Sequence, residues 1–353
     1  MKYPILTYLM LLCALAIAEP MNEWSEHASN PVYGVTPSRV YYPSILKESG
    51  SYTMWSDSGS GLQVAISSDG VSWTTVGATT GLTNAAHNIV EKVGSRYRIW
   101  YWDTSQLYSV NAMRTATSAN GIDWSNDQVI TQVGNSVITG TDGDWNRGSY
   151  GPADIYYNSA GSATIVAPVD ETSVWANKFV MYYDGTTGGD ESLGLAVSND
   201  GIDWQGYNSG MSAVFAGTSV SGDWDEEFVS RATVLAFGAD DYRMWYSGGN
   251  GAMNQGIGYA TSLDGISWTR DIDPIFHIDD DESWRDVRTY TPMVVDDYMW
   301  FSGRDSNGNY TIGLAHAIPE PSTLELLAVV VIILIGRLLY RSISDRRTAK
   351  DGV

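Results

Sequence analysis

One short phrase recurs along this chain and restricts its architecture more than any other property. It reads VAISSDGVSW from Val64 to Trp73, TATSANGIDW from Thr115 to Trp124, LAVSNDGIDW from Leu195 to Trp204 and IGYATSLDGISW from Ile257 to Trp268, with a truncated IGLAHA from Ile312 to Ala317. Each of the four full copies is an alternating strand that runs into an Asp-Gly or Asn-Gly turn closed by Trp. A second, aromatic strand precedes each one: SYTMWS from Ser51, YRIWYW from Tyr97, FVMYY from Phe179, YRMWYS from Tyr242 and YMWFS from Tyr298. Still earlier lie more apolar runs that begin at Tyr41, His87, Pro152, Ala232 and Pro292. Period-two alternation marks strands, and the Gly, Asn and Asp clusters between them mark turns.

Three strands and a short fourth after the turn make one antiparallel sheet, and a sheet-sized repeat describes propeller blades. The fold class expected is all-β, a five-bladed β-propeller over residues 19–317. The fifth unit lacks its Asp-Gly-Trp turn, so the segment around Pro31 to Val35 is expected to complete it and close the ring. In the other units the turn glycine supplies positive φ and the Trp covers the gap between neighbouring blades.

The two ends read differently. Residues 1–18 carry Lys2, a short apolar run and the triplet Ala16-Ile17-Ala18, the pattern of a secretory leader cut by signal peptidase. The only cysteine, Cys13, lies inside that leader, so the mature protein is expected to have no disulfide and no cysteine-bound metal. At the other end, residues 318–353 place Pro319-Glu320-Pro321 before an apolar run from Leu326 to Gly336, followed by Arg337, Arg341, Arg346 and Arg347. This order resembles the PEP-CTERM sorting segment read by exosortases of Gram-negative bacteria. The resemblance implies a C-terminal transmembrane helix with its basic tail on the cytoplasmic side, processing by an exosortase, and delivery to the cell surface or extracellular matrix. A plain tail anchor is the alternative.

The charge balance narrows the partners. Asp and Glu number 41 against 20 Lys and Arg, a formal charge of −21, which repels phosphate backbones and disfavours nucleic acid.

The blade pattern resembles the five-bladed glycoside hydrolases, the superfamily of arabinanases, xylosidases, invertases and mannoside phosphorylases. Its turn is one residue shorter than the sialidase Asp-box, which disfavours a six-bladed sialidase. The resemblance implies a carbohydrate ligand, such as an exopolysaccharide, at the channel mouth where the innermost strands begin. Three of those entries share an aromatic and acidic pattern: GDWNRGSYGP from Gly143, GDWDEEFVSR from Gly222 and ESWRDVRTYTP from Glu282. Their Trp145, Trp224 and Trp284 either pack on their own blades or stack on sugar.

Candidate substrate-binding residues at the entries are Arg39, Tyr42, His87, Asn88, Arg231, Arg288 and Tyr290, a set of planar donors and aromatic faces that suits a neutral or anionic sugar. Hydrolysis needs two carboxyl groups, about 5 Å apart for retention or about 6.5 to 9.5 Å for inversion. The resemblance implies an Asp on the first blade, yet SRVYYPSIL from Ser38 carries no carboxylate, and TNAAHNIVEK from Thr83 offers only Glu91. The candidate catalytic carboxylates are therefore Asp154, Glu226, Glu227 and Asp286, with a non-catalytic glycan-binding or biofilm-matrix protein as the alternative. No cofactor is expected. A Ca²⁺ in the channel, through His87, or in the acidic loop HIDDDESWRD from His277, would be the exception, but that loop lacks the spacing of a dedicated calcium loop.

Overall fold

The computed structural model describes residues 23–318, apart from 35–38, 107–111, 133–144, 147, 159–177, 187–189, 208–211, 239, 252–254, 281 and the side chains of 132, 148–150 and 158. The expected leader, the Pro319-Glu320-Pro321 motif, the apolar segment and the basic tail lie outside the described residues, among which no helix is long and apolar enough to cross a membrane. Trp24–His316 forms one compact unit, and everything below concerns it.

The unit is all-β and propeller-like, built from consecutive antiparallel meanders. The first comprises β2 (Tyr41–Glu48), β3 (Ser51–Asp57), β4 (Leu62–Ser67) and β5 (Thr74–Ala78), and the second β6 (Ala85–Val93), β7 (Arg96–Asp103), β8 (Met113–Ser118) and β9 (Trp124–Val129). The third contains β11 (Gly148–Asn158), β12 (Lys178–Thr186), β13 (Glu191–Ser198) and β14 (Asp203–Gly206), with β10 (Thr131–Gln132) parallel to β14 and β15 (Phe215–Ala216) beside β13. The fourth contains β16 (Phe228–Gly238), β17 (Asp241–Gly249), β18 (Gly256–Ser262) and β19 (Trp268–Arg270), with β20 (Phe276–His277) beside β18. A fifth runs β21 (Arg288–Val295), β22 (Tyr298–Arg304) and β23 (Tyr310–Ala317), and its outer strand is β1 (Trp24–Glu26) from the far end of the unit. The closing strand thus begins earlier than Pro31. The predicted segment continues that edge: the Val32 and Tyr33 N–H groups donate to the Ile312 carbonyl and Tyr33 accepts the Ile312 N–H, while the Asn30 side chain both donates to and accepts from Leu314.

The first strands of the meanders contact one another in cyclic order: β2 with β6, β6 with β11, β11 with β16, β16 with β21, and β21 with β2.

The repeated phrase explains how neighbours are fastened. In each copy the serine Oγ accepts the glycine N–H, at 2.8 to 2.9 Å for Ser67, Ser118, Ser198 and Ser262. The Asp or Asn side chain two residues on accepts two further backbone N–H groups. The glycine stands at φ of 70 to 75°, and its freed carbonyl accepts from an aromatic of the neighbouring meander. Trp300 donates to Gly70, Trp55 to Gly121, Trp100 to Gly201 and Tyr182 to Gly265, at 2.6 to 2.9 Å. A Cβ on Gly70, Gly121 or Gly201 would sit 2.8 Å from the donating indole, so glycine is required for both conformation and space. The fifth meander has no such turn, and there Trp24 of β1 meets Trp245 edge-on, with ring centroids 5.9 Å apart.

Trp145, Trp224 and Trp284 pack on their own meanders. Trp224 stacks on Tyr246 and covers Gly248 and Gly258, Trp284 covers Gly303 and Gly313, and Trp145 lies against Gly185 and Tyr183.

Candidate functional site

Every inner strand loses register near its start, between Tyr41 and Ser44, Ala86 and Ile89, Ser149 and Gly151, Ser230 and Thr233, and Tyr290 and Met293. At each break one residue enters the left-handed region: Tyr42 (φ 53°), His87 (46°), Gly151 (109°), Arg231 (48°) and Thr291 (54°). For a residue with a side chain this costs about 1 to 2 kcal/mol, so surrounding contacts must impose it. An acceptor at the end of the second strand of the preceding meander does so. Ser302 Oγ takes the Tyr42 N–H (3.0 Å), the Asp57 carboxylate that of His87 (3.2 and 3.3 Å), Asp184 Oδ1 that of Arg231 (2.9 Å) and Ser247 Oγ that of Thr291 (2.8 Å). Bulges of this kind re-aim side chains, and here they gather several of the residues singled out in the sequence.

The Tyr42 ring lies 3.9 Å from His87, 5.5 Å and edge-on from Tyr290, and beneath the Arg231 guanidinium at 5.1 Å. Arg231 is buried and salt-bridged to the fully buried Asp184. Arg288 covers the Tyr290 ring at 4.2 Å. Asn88, 3 % exposed, has no hydrogen-bond partner for either side-chain amide atom among the described residues. It borders a cavity of about 20 Å³ lined from all the inner strands by Tyr42, His87, Pro152, Arg231 and Thr291, among others. That volume suits a single water and is too small for a sugar ring, so the nearest space that could take one lies on the entry side. There, beside Tyr41, a groove of about 510 Å³ opens between the first two meanders, a size usual for small-ligand clefts. Arg39 is exposed and its side chain runs along Gly59 at the groove's rim.

Burial sets the electrostatics of the cluster. It pushes the Tyr41 hydroxyl up to about 12, with the Asp57 charge adding to the effect, and holds Tyr290 well above the usual tyrosine range. Both are neutral hydroxyls at ordinary pH and can donate to a ligand. Burial also raises the Glu191 carboxyl, against the opposing effects of a Ser230 hydrogen bond and the Arg288 charge.

The four candidate catalytic carboxylates are dispersed. Glu226 accepts from the Gly222 N–H (3.1 Å) and the Asn250 amide (3.2 Å), Glu227 accepts from the Gly251 N–H (3.0 Å), and Asp286 is exposed. Asp154 is buried, and its Oδ2 accepts the Val234 N–H at 2.7 Å, tying β11 to β16. Among the described residues none of the four has a hydrogen bond or ion pair to Tyr42 or Tyr290.

Desolvation pushes the Asp154 carboxyl up to about 7, opposed by the N–H groups of Val234 and Ile155. The folded state therefore keeps this proton to higher pH than the unfolded chain does, whose carboxyl releases it near pH 4. Between those values the native state binds more protons, so stability falls as pH rises from about 4 to about 7. Asp154→Asn keeps an acceptor for Val234 and cannot ionise. Urea midpoints measured across that window should fall less steeply for the variant, and an unchanged slope would show that Asp154 is ionised throughout.

Among the described residues no group of three or more His, Cys, Asp or Glu is arranged to hold a metal ion. In the acidic loop, Asp280 accepts the His277 N–H (2.7 Å) and pairs with Arg285, which also pairs with Glu26 of β1.

Glu191, Arg304 and Tyr310 lie outside the first-strand entries, at the end of a second strand or the start of a third. In an antiparallel meander the second strand ends, and the third begins, at that same edge; an Arg or Tyr at those places was the available signal.

No protein-family model matches this chain, and no curated protein sequence does. Solved structures do resemble it. One, from the GH130 family of mannoside phosphorylases containing glycoside hydrolases that target β-1,2-mannosidic linkages in Candida mannan, is 16 % identical over 84 % of this chain and 96 % of that one, with a TM-score of 0.54. A thermostable family-43 glycoside hydrolase is 15 % identical over 83 % and 97 %, TM-score 0.54. A glycosyl hydrolase from Bacteroides ovatus is 13 % identical over 84 % and 96 %, TM-score 0.55. At such identities the likeness concerns the fold: this chain has the fold of glycoside hydrolase-like propellers.

Proposed function

We propose that this chain is an exported five-bladed β-propeller that binds carbohydrate at the mouth of its ring of inner strands, on a glycoside hydrolase-like scaffold. Its parts are a leader (1–18), the propeller (19–317) and a sorting segment (318–353) through which an exosortase directs it to the cell surface or matrix. The cyclic contacts of the inner strands support the blade count. Binding rests on one observation: Tyr42, His87, Arg231 and Tyr290, from four separate meanders, converge above a floor too small for a sugar. Tyrosine faces stack on the C–H faces of pyranose rings, while Arg and the tyrosine hydroxyls meet sugar hydroxyls.

A hydrolytic version of the same site is favoured by Glu191, a carboxyl raised by burial beside Arg288. A version using Asp154, Glu226, Glu227 and Asp286 requires those groups to leave their present hydrogen bonds or to reach in from solvent.

The full chain, screened against a glycan array, should bind at least one polysaccharide, and Tyr42→Ala should weaken that binding about tenfold or more. An array with no bound glycan refutes the reading. Incubation with aryl glycosides and polysaccharides decides the hydrolytic version: turnover abolished by Glu191→Gln supports Glu191, turnover abolished by Glu226→Gln or Asp286→Asn supports those acids, and no turnover leaves binding alone.

A further inference from the structure

In a chain with 41 acidic and 20 basic side chains, arginines should find carboxylates, and many do. Arg114 pairs with Asp127, Arg231 with Asp184, Arg243 with Asp241, Arg270 with Asp225 and Arg285 with Glu26. Arg39 and Arg304 depart from this pattern: among the described residues neither forms an ion pair, and the Arg304 Nε is buried without a hydrogen-bond partner.

Their positions are related. Arg288 of β21 is the register partner of Arg304 of β22, Arg304 is the partner of Tyr310 of β23, and Tyr310 is bridged to Arg39. Residues directly opposed in a sheet project to one face, so Arg288, Arg304, Tyr310 and Arg39 form a row across the entry end of the fifth meander. Two arginines directly opposite one another repel. Glu191 acts on Arg288, while Arg304 and Arg39 have no ion-pair partner among the described residues. Aromatic rings support two of them, with Arg304 over Tyr310 at 5.4 Å and Arg288 over Tyr290 at 4.2 Å. Tyr310 in turn touches Tyr41, at 4.9 Å between ring centroids, at the edge of the groove.

We propose that this row receives an anionic substituent of the bound glycan, a sugar carboxylate or a sulfate ester, so that the ligand is an acidic polysaccharide. The proposal rests on the carbohydrate reading above and specifies its ligand class. Guanidinium forks match both oxyanions in geometry. The net charge of −21 opposes unspecific attraction of a polyanion, so acidic binding has to come from a local feature such as this row. The adjoining groove, lined by the buried Asp57 and by Ser58, Ser60, Thr79, Asn84 and Thr104, offers mostly uncharged donors and acceptors to the hydroxyls of a neighbouring sugar unit.

The test is calorimetric titration of the full chain with two matched pairs of polymers: polygalacturonate against its methyl-esterified form, and dextran sulfate against dextran. In at least one pair the anionic member should bind about tenfold tighter or more, the value of one charge-assisted contact, and which pair responds identifies carboxylate or sulfate. Arg39→Gln and Arg304→Gln should each remove most of that preference, read as the ratio of the two affinities within a pair. Arg39 is exposed, so its replacement keeps the fold and keeps the test decisive even if Arg304→Gln is poorly folded. Equal binding of both members, or a preference that survives both substitutions, overturns the anionic assignment and leaves the carbohydrate reading in place. If none of the four polymers binds, the assignment also falls, and a silent glycan array then removes the underlying reading with it.

Discussion

Asp184→Ala should destabilise the protein by about 3 to 5 kcal/mol and abolish ligand binding together. Asp184 is fully buried, and it serves Arg231 twice, as the acceptor for its backbone N–H and as the counter-charge for its guanidinium. Removing one partner of a buried pair leaves an uncompensated charge in a medium that solvates it poorly, which costs about 3 to 5 kcal/mol. The left-handed backbone at Arg231 loses its restraint at the same time, so the guanidinium no longer lies over Tyr42. Asp184→Asn retains an acceptor and should fall between wild type and Ala. Combining Asp184→Ala with Arg231→Met removes the orphaned charge and should recover part of the lost stability but none of the binding. Urea unfolding of the four proteins measures this. A loss below about 1 kcal/mol for Asp184→Ala would show that Arg231 finds water or another partner when the carboxylate is gone.

Trp100→Ala should cost about as much for a different reason. Its side chain is fully buried between the second and third meanders, packs on Phe179 and Trp204, and donates to the Gly201 carbonyl at 2.7 Å. Deleting a buried aromatic of this size costs about 3 to 5 kcal/mol. Trp100→Phe keeps most of the volume and loses the donor, so about 1 to 3 kcal/mol is expected for the unsatisfied carbonyl. Denaturant midpoints for the pair separate packing from hydrogen bonding. Equal losses for Ala and Phe would mean that the inter-meander hydrogen bond dominates, and negligible losses for both would remove the turn-to-indole fastening from the account.

The fold was readable because one local phrase encodes both ends of a contact. The Asp-Gly turns announced where strands reverse, and their repetition announced equivalent sheets. The Trp after each turn was rightly read as structural, although the decisive hydrogen bond comes from a different Trp or Tyr two strands earlier in the neighbouring meander. Closure was legible in part: Val32 and Tyr33 do pair with Ile312, but the β1 strand that completes the sheet is too short, at Trp24–Glu26, to show alternation. The site was less legible. Left-handed φ at Tyr42, His87, Arg231 and Thr291 has no signature in those residue types, since the conformation is imposed by Ser302, Asp57, Asp184 and Ser247 on other sheets. For the same reason Asp154 looked available from sequence. Only the β16 strand beside it reveals that its carboxylate is occupied by the Val234 N–H.

Hydrogen–deuterium exchange on the full chain, with and without a saturating bound polysaccharide, tests the central claim most directly. Protection should rise in peptides that contain Tyr41–Tyr42, His87–Asn88, Arg231 and Arg288–Tyr290, and remain unchanged in the Asp69–Trp73 and Asp264–Trp268 turns at the opposite end of the strands. Protection confined to those turns, with the inner-strand entries unaffected, would contradict a ligand site at the mouth.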